Sequence, residues 1–178
     1  MTVSLDGFVQ DAEGSAAALY TDLADLQDSP HTEAMRDETG AVLMSRRTFE
    51  MAGDPDGYAD TDELQVPISV FTHTPPAVAR KRHERLSFTF VPNGVESAVA
   101  QAAAAAGERA VTVVGGVDLN RQVLAAGLVD ELRVDVMPVL LGAGLRLLNG
   151  TPPVALEKLG VDDVGARTSP RFRTLRSS

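Results

Sequence analysis

One feature constrains the fold of this chain most. It is a short apolar strand that runs directly into paired glycines and a helix start. The segment reads Val111-Thr112-Val113-Val114-Gly115-Gly116-Val117-Asp118. Because glycine has no Cβ, another backbone or a ligand phosphate can come close to this junction, where the unpaired N–H groups of a helix N-terminus favour negative charge. The pattern is compatible with two structures: a tight strand-to-helix turn without a ligand, or a cradle for a phosphate-bearing cofactor.

Length and composition limit the class of protein. The chain has 178 residues, 44% of them hydrophobic, and no Pro/Ser/Gly-rich linker divides it, so we predict a single domain over residues 1–178. The sequence contains no cysteine, which excludes disulfides, thiolate zinc sites and cysteine nucleophiles. No signal-like N-terminus is present, and no apolar run approaches the roughly 20 residues of a membrane helix. We therefore expect a soluble, cytoplasmic protein.

The charge distribution argues against nucleic acid as a partner. The formal net charge is −9, whereas binding to nucleic acid requires clustered Lys and Arg. Acidic residues crowd the first forty positions, which is typical of a solvated face. Basic residues gather at Arg46-Arg47, at Arg80-Lys81-Arg82 with Arg85, and near the C-terminus.

The search for catalytic motifs is mostly negative. No P-loop and no G-x-S-x-G elbow occurs, and the three histidines lack the spacing of a metal-binding helix. We therefore expect neither hydrolytic nor metal chemistry. Gly142-Ala143-Gly144 predicts a turn, because no third glycine and no helix pattern follow it.

Short apolar runs alternate with helical patterns through the middle of the chain. Strands are predicted at 41–44, 66–72 and 86–91, with Ser45 capping the helix after the first. A second helix is expected from an Asn93 cap to Gly107. Near the C-terminus, alternating residues around 132–136 and 171–173 predict further strands. This order predicts an α/β fold with a mostly parallel sheet flanked by helices and antiparallel C-terminal strands.

Polar groups follow three of the predicted strands. The segments are Ser45-Arg46-Arg47-Thr48, Thr72-His73-Thr74 and Gly115-Gly116. Ligands of open α/β sheets bind outside the carboxyl ends of parallel strands. Guanidinium groups, hydroxyls and an open helix terminus suit a dinucleotide with an extra phosphate. The sequence thus predicts a phosphate-bearing cofactor at this edge.

Several segments in order carry a resemblance to a known family. They are Ser4-Leu5-Asp6-Gly7-Phe8-Val9, residues 42–50, Val113-Val114-Gly115-Gly116, residues 127–132 and residues 138–144. Across nearly its whole length the chain resembles the dihydrofolate-reductase-fold proteins related to the C-terminal reductase domain of bifunctional riboflavin-pathway deaminase-reductases.

The resemblance implies a dihydrofolate-reductase-like twisted mixed sheet flanked by helices, NADPH as hydride donor and a homodimer. By position, it implies that Ser45, Arg46, Arg47 and Thr48 bind the cofactor phosphates. It also implies that Thr72 and Thr74 contact the adenosine side of the cofactor. The pyrophosphate is expected at Gly115, Gly116, Val117 and Asp118. Asp6 and Gly7 are expected to face the nicotinamide and the substrate, with Asp6 the candidate catalytic proton donor.

The chain also departs from the family's pattern. Relatives commonly have glycine at the position of Ser45, and dedicated riboflavin-pathway reductases typically carry glutamate where this chain has Val114. Met1-Thr2-Val3 falls inside what is normally the first strand, so a shortened or misassigned start is expected. The H-x-E and P-C-x-x-C elements of a zinc deaminase do not occur, so no deamination is expected.

The predicted function is that of an NADPH-dependent reductase. The resemblance implies an activity like that of 5-amino-6-(5-phosphoribosylamino)uracil reductase, with hydride transfer to ribose C1′. Two alternatives stay open: a reductase of pterin or dihydrofolate type, and a non-catalytic dimeric module that binds NADPH.

Overall fold

The structure is a computed structural model that describes residues 1–27, 29–51, 65–75 and 86–175. The basic cluster Arg80-Lys81-Arg82 with Arg85 lies outside the described residues. The fold divides into two compact units, Met1–Glu33 with Leu124–Ser178, and Ala34–Val123. The single domain over residues 1–178 stays a prediction.

The described elements alternate between strands and helices, as predicted for the middle of the chain. The strands are β1 Thr2–Ser4, β2 Phe8–Gln10, β3 Thr39–Ser45, β4 Ile68–Phe71, β5 Phe88–Val91, β6 Ala110–Val113, β7 Glu131–Arg133, β8 Asp135–Met137, β9 Leu145–Arg146, β10 Ala155–Val164 and β11 Arg167–Leu175. The helices are α1 Leu23–Gln27, α2 Pro30–Glu38, α3 Arg46–Met51, α4 Val95–Ala106 and α5 Val117–Ala125, and a 3₁₀ turn spans Ala17–Leu19.

The unit of residues 34–123 is built on a parallel sheet. Its strand order is β5-β4-β3-β6, and all three neighbouring pairs are parallel. Strands β3 and β4 are almost entirely buried, which explains why they read as continuous apolar runs. Phe49 of α3 packs edge-on against Phe88 and Phe90 of β5, with ring centroids 5.5 and 5.6 Å apart. These rings join the apolar side chains of β3 and β4 in one core.

Helix α4 covers this sheet with small residues. Its buried positions, Val95, Ala98, Ala102 and Ala106, recur every three or four residues and therefore lie on one face. The helix packs against β3, β4 and β6. The predicted Asn93 cap is wrong: Gly94 is the residue that precedes the first turn, and no side chain caps it. The helix ends at Gly107, as predicted.

The other unit holds a mixed sheet. Strand β8 pairs in parallel with β1 and antiparallel with β11, and β11 pairs antiparallel with β10 and β7. A separate antiparallel pair joins β2 and β9. The alternating run around 132–136 is divided between β7 and β8, and the Val134 N–H between them donates to the Pro170 carbonyl of β11 at 3.3 Å. The predicted α/β class with antiparallel C-terminal strands is confirmed.

The described part of the chain contains no candidate transmembrane helix. None of the helices there combines the length and the apolar character that crossing a bilayer requires.

Candidate functional site

Three turns follow the carboxyl ends of neighbouring parallel strands. Strand β3 lies between β4 and β6, and the chain passes from β3 through α3 towards β4 on one side, while β6 and α5 lie on the other. Such a reversal of strand order opens the crevice in which α/β sheets bind ligands. The Val114 N–H donates to the Leu43 carbonyl at 3.0 Å, and the Ser45 N–H to that of Gly115 at 3.4 Å. The β3–α3 and β6–α5 turns are therefore held side by side.

Both the backbone conformation and the close approach of neighbouring side chains require glycine at positions 115 and 116. Gly115 has φ +94° and Gly116 has φ +89°, a region that other residues rarely adopt. A Cβ on Gly115 would lie 2.9 Å from Thr48 Cγ2, and one on Gly116 would lie 2.5 Å from Ser45 Cβ. The side chains of the β3–α3 turn therefore occupy the space that the glycines leave.

Ser45 is the N-cap of α3, as predicted. Its Oγ accepts the Thr48 N–H at 3.3 Å, and it lies 3.1 Å from Thr48 Oγ1 in a shared hydroxyl contact. The two hydroxyls thus form a polar pair directly beside the glycine turn. Both side chains are half-buried, so they reach the surface of the crevice.

The two predicted arginines differ in their surroundings. Arg46 Nε donates to Glu50 Oε1 at 2.6 Å, and Arg46 Nη1 donates to the Thr74 carbonyl at 3.1 Å. This guanidinium ties the turn after β3 to the turn after β4. Arg47, the next residue along α3, is exposed.

The turn after β4 is organised by its own threonine. Thr72 is buried, its Oγ1 accepts the Thr74 N–H at 3.2 Å, and the same hydroxyl donates to the Thr74 carbonyl at 3.1 Å. Its side chain therefore shapes the turn, whereas Thr74 is exposed at the turn's surface. The cofactor contacts of both threonines stay predictions.

Helix α5 begins directly at the second glycine. The Gly116 carbonyl accepts the Asn120 N–H at 2.9 Å and Asn120 Nδ2 at 3.1 Å. Residues Val117 and Asp118 occupy the first turn, whose N–H groups have no partner within the helix. The Asp118 carboxylate is 90% exposed and lies 3.6 Å from Arg121 Nη1. The backbone here favours an anion, although one exposed carboxylate stands beside it.

Taken together, the unit of residues 34–123 fits the phosphates of a dinucleotide. Two hydroxyls and a helix N-terminus lie at one edge of the parallel sheet, and the exposed Arg47 is in the helix that starts there. The prediction that turns distant in sequence meet at this edge is confirmed by the hydrogen bonds that join them.

Asp6 lies in the other unit, in a tight turn after β1. The Gly7 N–H donates to the Ser4 carbonyl at 2.8 Å, and Gly7 has φ +85°. The Asp6 carboxylate accepts Ser4 Oγ at 2.5 Å, the Gly142 N–H at 2.7 Å and the Leu141 N–H at 3.2 Å. It thereby fastens the Gly-rich turn after β8 to the turn after β1.

These hydrogen bonds change the acidity of Asp6. The Ser4 hydroxyl, followed by the backbone N–H groups of Gly142 and Leu141, lowers the pKa of this carboxyl to about 2. Asp6 is therefore ionised at neutral pH and has no proton to donate. Its catalytic role stays a prediction, limited by this environment to that of a carboxylate.

Arg146 is a neighbour of this turn that the sequence did not reveal. Its Nη1 donates to the Asp6 carbonyl at 2.9 Å, and its guanidinium carbon lies 4.3 Å from the centre of the Phe8 ring. Gly7 accepts the Leu147 N–H at 3.1 Å. The predicted substrate residues Asp6 and Gly7 are thus held between two backbone segments and one arginine.

Sequence reasoning also missed a buried ion pair. The Arg167 side chain is fully buried, and its Nε and Nη2 donate to the two Asp22 carboxylate oxygens at 2.8 and 2.6 Å. It also donates to Thr2 Oγ1 and to the Leu19 carbonyl, both at 2.9 Å. No local pattern signals this contact, because the partners are 145 residues apart in sequence.

Comparison with known proteins identifies one family. The family model described as the RibD C-terminal domain matches residues 1–169. No curated protein matches the sequence.

Solved structures share the fold at low sequence identity. A candidate riboflavin biosynthesis protein from Shewanella sp. PV-4 has a TM-score of 0.77 and 20% identity, and the match covers 99% of this chain and 97% of that one. A Thermotoga maritima diaminohydroxyphosphoribosylaminopyrimidine deaminase/5-amino-6-(5-phosphoribosylamino)uracil reductase has a TM-score of 0.66 and 15% identity. That match covers 98% of this chain but only 55% of the Thermotoga protein. A Saccharomyces cerevisiae riboflavin biosynthesis reductase has a TM-score of 0.60, 14% identity, and coverage of 98% and 86%.

Proposed function

Because this chain belongs to the RibD C-terminal domain family, a family of riboflavin-pathway-type reductases, we propose that it is an NADPH-dependent reductase. One observation supports the cofactor more than any other. The turns after β3 and β6 are hydrogen-bonded side by side, which brings the Ser45–Thr48 hydroxyls beside the start of α5, and the exposed Arg47 lies in the first turn of α3. These are the groups that bind phosphates in proteins.

The proposed roles follow from the surroundings of each residue. Bound NADPH would supply the hydride, and the protein would supply orientation and electrostatics. Arg47 is proposed to meet the 2′-phosphate, because its side chain is exposed while Arg46 is engaged with Glu50 and Thr74. The backbone at Gly116–Val117 is proposed to meet the pyrophosphate.

The proposed substrate is a small polar heterocycle linked to a sugar through an amine, reduced at the electrophilic sugar carbon. The name of the Thermotoga structure includes a reductase of a phosphoribosylamino-uracil, which supports this class. Asp6 and Gly7 are proposed to bind the substrate, with Asp6 as a carboxylate that accepts hydrogen bonds.

The cofactor proposal predicts that Arg47→Ala selectively loses affinity for NADPH. Removal of a guanidinium from the 2′-phosphate should raise the Kd for NADPH by about tenfold and leave that for NADH within about twofold. Fluorescence titration of the purified protein with each cofactor measures this difference. Arg46→Ala should weaken both cofactors, because it also releases the Thr74 turn.

The control for this titration is Arg173→Ala, an exposed arginine of β11 that should leave both affinities unchanged. Equal losses for NADPH and NADH in Arg47→Ala would contradict the assignment. Saturable NADPH binding without turnover of pyrimidine or pterin substrates would favour the non-catalytic module, and turnover of a reduced pterin would favour the second reductase.

We further propose that a second copy of this chain is its partner. The pairing of β10 with β11 and of β11 with β7 places apolar residues on one face of the mixed sheet: Leu132, Leu156, Val161, Pro170 and Phe172. Leu156 and Val161 are 40% and 43% exposed. The opposite face holds Arg167 and its contacts to Leu19 and Asp22. Lys158, Asp163 and two threonines share this face, so it is an apolar patch with polar neighbours, which suits a symmetric interface between two copies.

A further inference from the structure

Strand β10 carries two opposite charges on the apolar face of the mixed sheet. Lys158 pairs with Phe172 of β11, and Asp163 pairs with Thr168, so all four side chains point to the same face. Both charged residues are exposed. The face that is proposed to contact a second copy therefore holds one cation and one anion among its apolar side chains.

A β-bulge places these two charges on one face. Lys158 and Asp163 are five positions apart, and in a regular strand an odd separation puts side chains on opposite faces. The register of β10 on β11 passes from Lys158 to Gly160 and skips Leu159, which reverses the alternation of faces beyond that point. Because of the bulge, the apolar face is positive towards one end of β10 and negative towards the other.

The two charges do not neutralise each other within one copy. Their partners on β11, Phe172 and Thr168, are uncharged and lie four positions apart, which corresponds to roughly 13 Å along the strand. An ion pair requires its charged atoms to lie within about 4 Å of each other. Burial of a charge without a partner is costly, so an interface that covers this face has to supply each charge with an opposite one from the second copy.

A symmetric dimer meets this requirement in one orientation. Two identical sheet faces that pack together are related by a two-fold axis that lies in the interface. An axis perpendicular to β10 near Val161 reverses the strand, so Lys158 of each copy comes opposite Asp163 of the partner subunit. An axis parallel to β10 keeps the strand direction, and each charge is then level with the like charge of the other copy.

We propose that β10 packs antiparallel to β10 of a second copy across a two-fold axis near Val161, with reciprocal Lys158–Asp163 ion pairs that fix this orientation. The inference rests on the proposed partner, a second copy of this chain, and not on the proposed cofactor. The apolar side chains of the face supply most of the attraction. The charges select the direction in which the two copies pack, because like charges in contact exclude the alternative.

The test is a charge-reversal cycle on the full chain, with the Kd of the dimer measured by analytical ultracentrifugation. Lys158→Glu brings two negative charges together at each of the two contacts, and Asp163→Lys does the same with positive charges. Each single variant should raise the Kd by about tenfold or more. The double variant Lys158→Glu/Asp163→Lys restores both pairs with reversed sign, so its Kd should return to within about threefold of the original value.

The matched control is Glu157→Lys, a charge reversal at the neighbouring residue, whose side chain pairs with Arg173 on the other face of the sheet. It should keep the Kd within about twofold, and the Tm of each variant verifies that it folds. If the original protein is dimeric and the double variant dissociates as readily as the single ones, the orientation is wrong while the proposed partner stands. Single variants that leave the Kd unchanged have the same meaning. A monomeric original protein overturns the inference together with the proposed partner.

Discussion

At the scale of single residues, a few hydrogen bonds determine how a side chain behaves chemically. Asp6 is the clearest case. As a dipeptide, Asp6-Gly7 indicates only a turn. In the structure, the carboxylate accepts hydrogen bonds from Ser4, Leu141 and Gly142, which lower its pKa to about 2. Carbon-detected NMR titration of the Asp6 carboxyl should therefore give a value near 2 instead of the ordinary 3.8.

The effect of Asp6 on stability has a definite sign. Because its pKa is lowered on folding, its contribution to the free energy of unfolding is present above the ordinary pKa and is lost as the pH falls towards 2. An ordinary pKa at Asp6 would show that the turn after β8 is not fastened by this carboxylate.

At the scale of elements, β11 is anchored by one buried cation. Arg167→Ala would leave the Asp22 carboxylate without its partner, and we expect a loss of about 3–5 kcal/mol in the free energy of unfolding. Urea denaturation at pH 7 measures it. The control is Arg173→Ala on the same strand, whose exposed pair with Glu157 at 3.0 Å should contribute less than about 1 kcal/mol.

Asp22→Asn adds a dependence on pH to this comparison. The hydrogen bonds from Arg167 lower the pKa of Asp22, so the ion pair stabilises the fold above the ordinary carboxyl pKa and loses that contribution as the pH falls through the lowered value. The difference in stability between the original protein and Asp22→Asn should therefore shrink in acid. Equal losses in Arg167→Ala and Arg173→Ala would contradict the importance of the buried pair.

At the scale of the whole molecule, the proposed homodimer is the property to test. Val161→Glu would place a charge on the apolar face of the mixed sheet, and we expect it to convert a dimer to a monomer because an unpaired charge is costly in an interface. Light scattering after size-exclusion chromatography measures the mass. Met51→Glu, at an exposed apolar residue of α3, is the control that should leave the mass unchanged. A monomeric original protein would overturn the proposed partner.

Much of the parallel sheet was predictable from local patterns. Buried runs such as residues 41–44, the cap at Ser45 and the stop at Gly107 each depend on neighbours within a few residues. The N-cap of α4 was predicted at Asn93, whereas the structure has it at Gly94. Asparagine and glycine are both common N-caps, so only the backbone conformation of Gly94 distinguishes the two positions.

The candidate site was predictable in its parts but not in its contacts. Carboxyl ends of parallel strands meet at one edge, so the turns at Ser45, Thr72 and Gly115 could be assigned to one place from their order alone. The sequence does not show that Arg46 also donates to the Thr74 carbonyl or that Thr72 is buried, because both depend on how the turns pack.

The amino-acid sequence by itself determined the fold class and the positions of the glycine turn, since periodicity, caps and glycines act over short distances. Only the tertiary structure decided what fills the space beside those glycines, which carboxylate Arg167 neutralises and which distant backbone N–H groups bind the Asp6 carboxylate. These contacts join residues 67 to 145 positions apart, and their free energy depends on burial and geometry that no local pattern records.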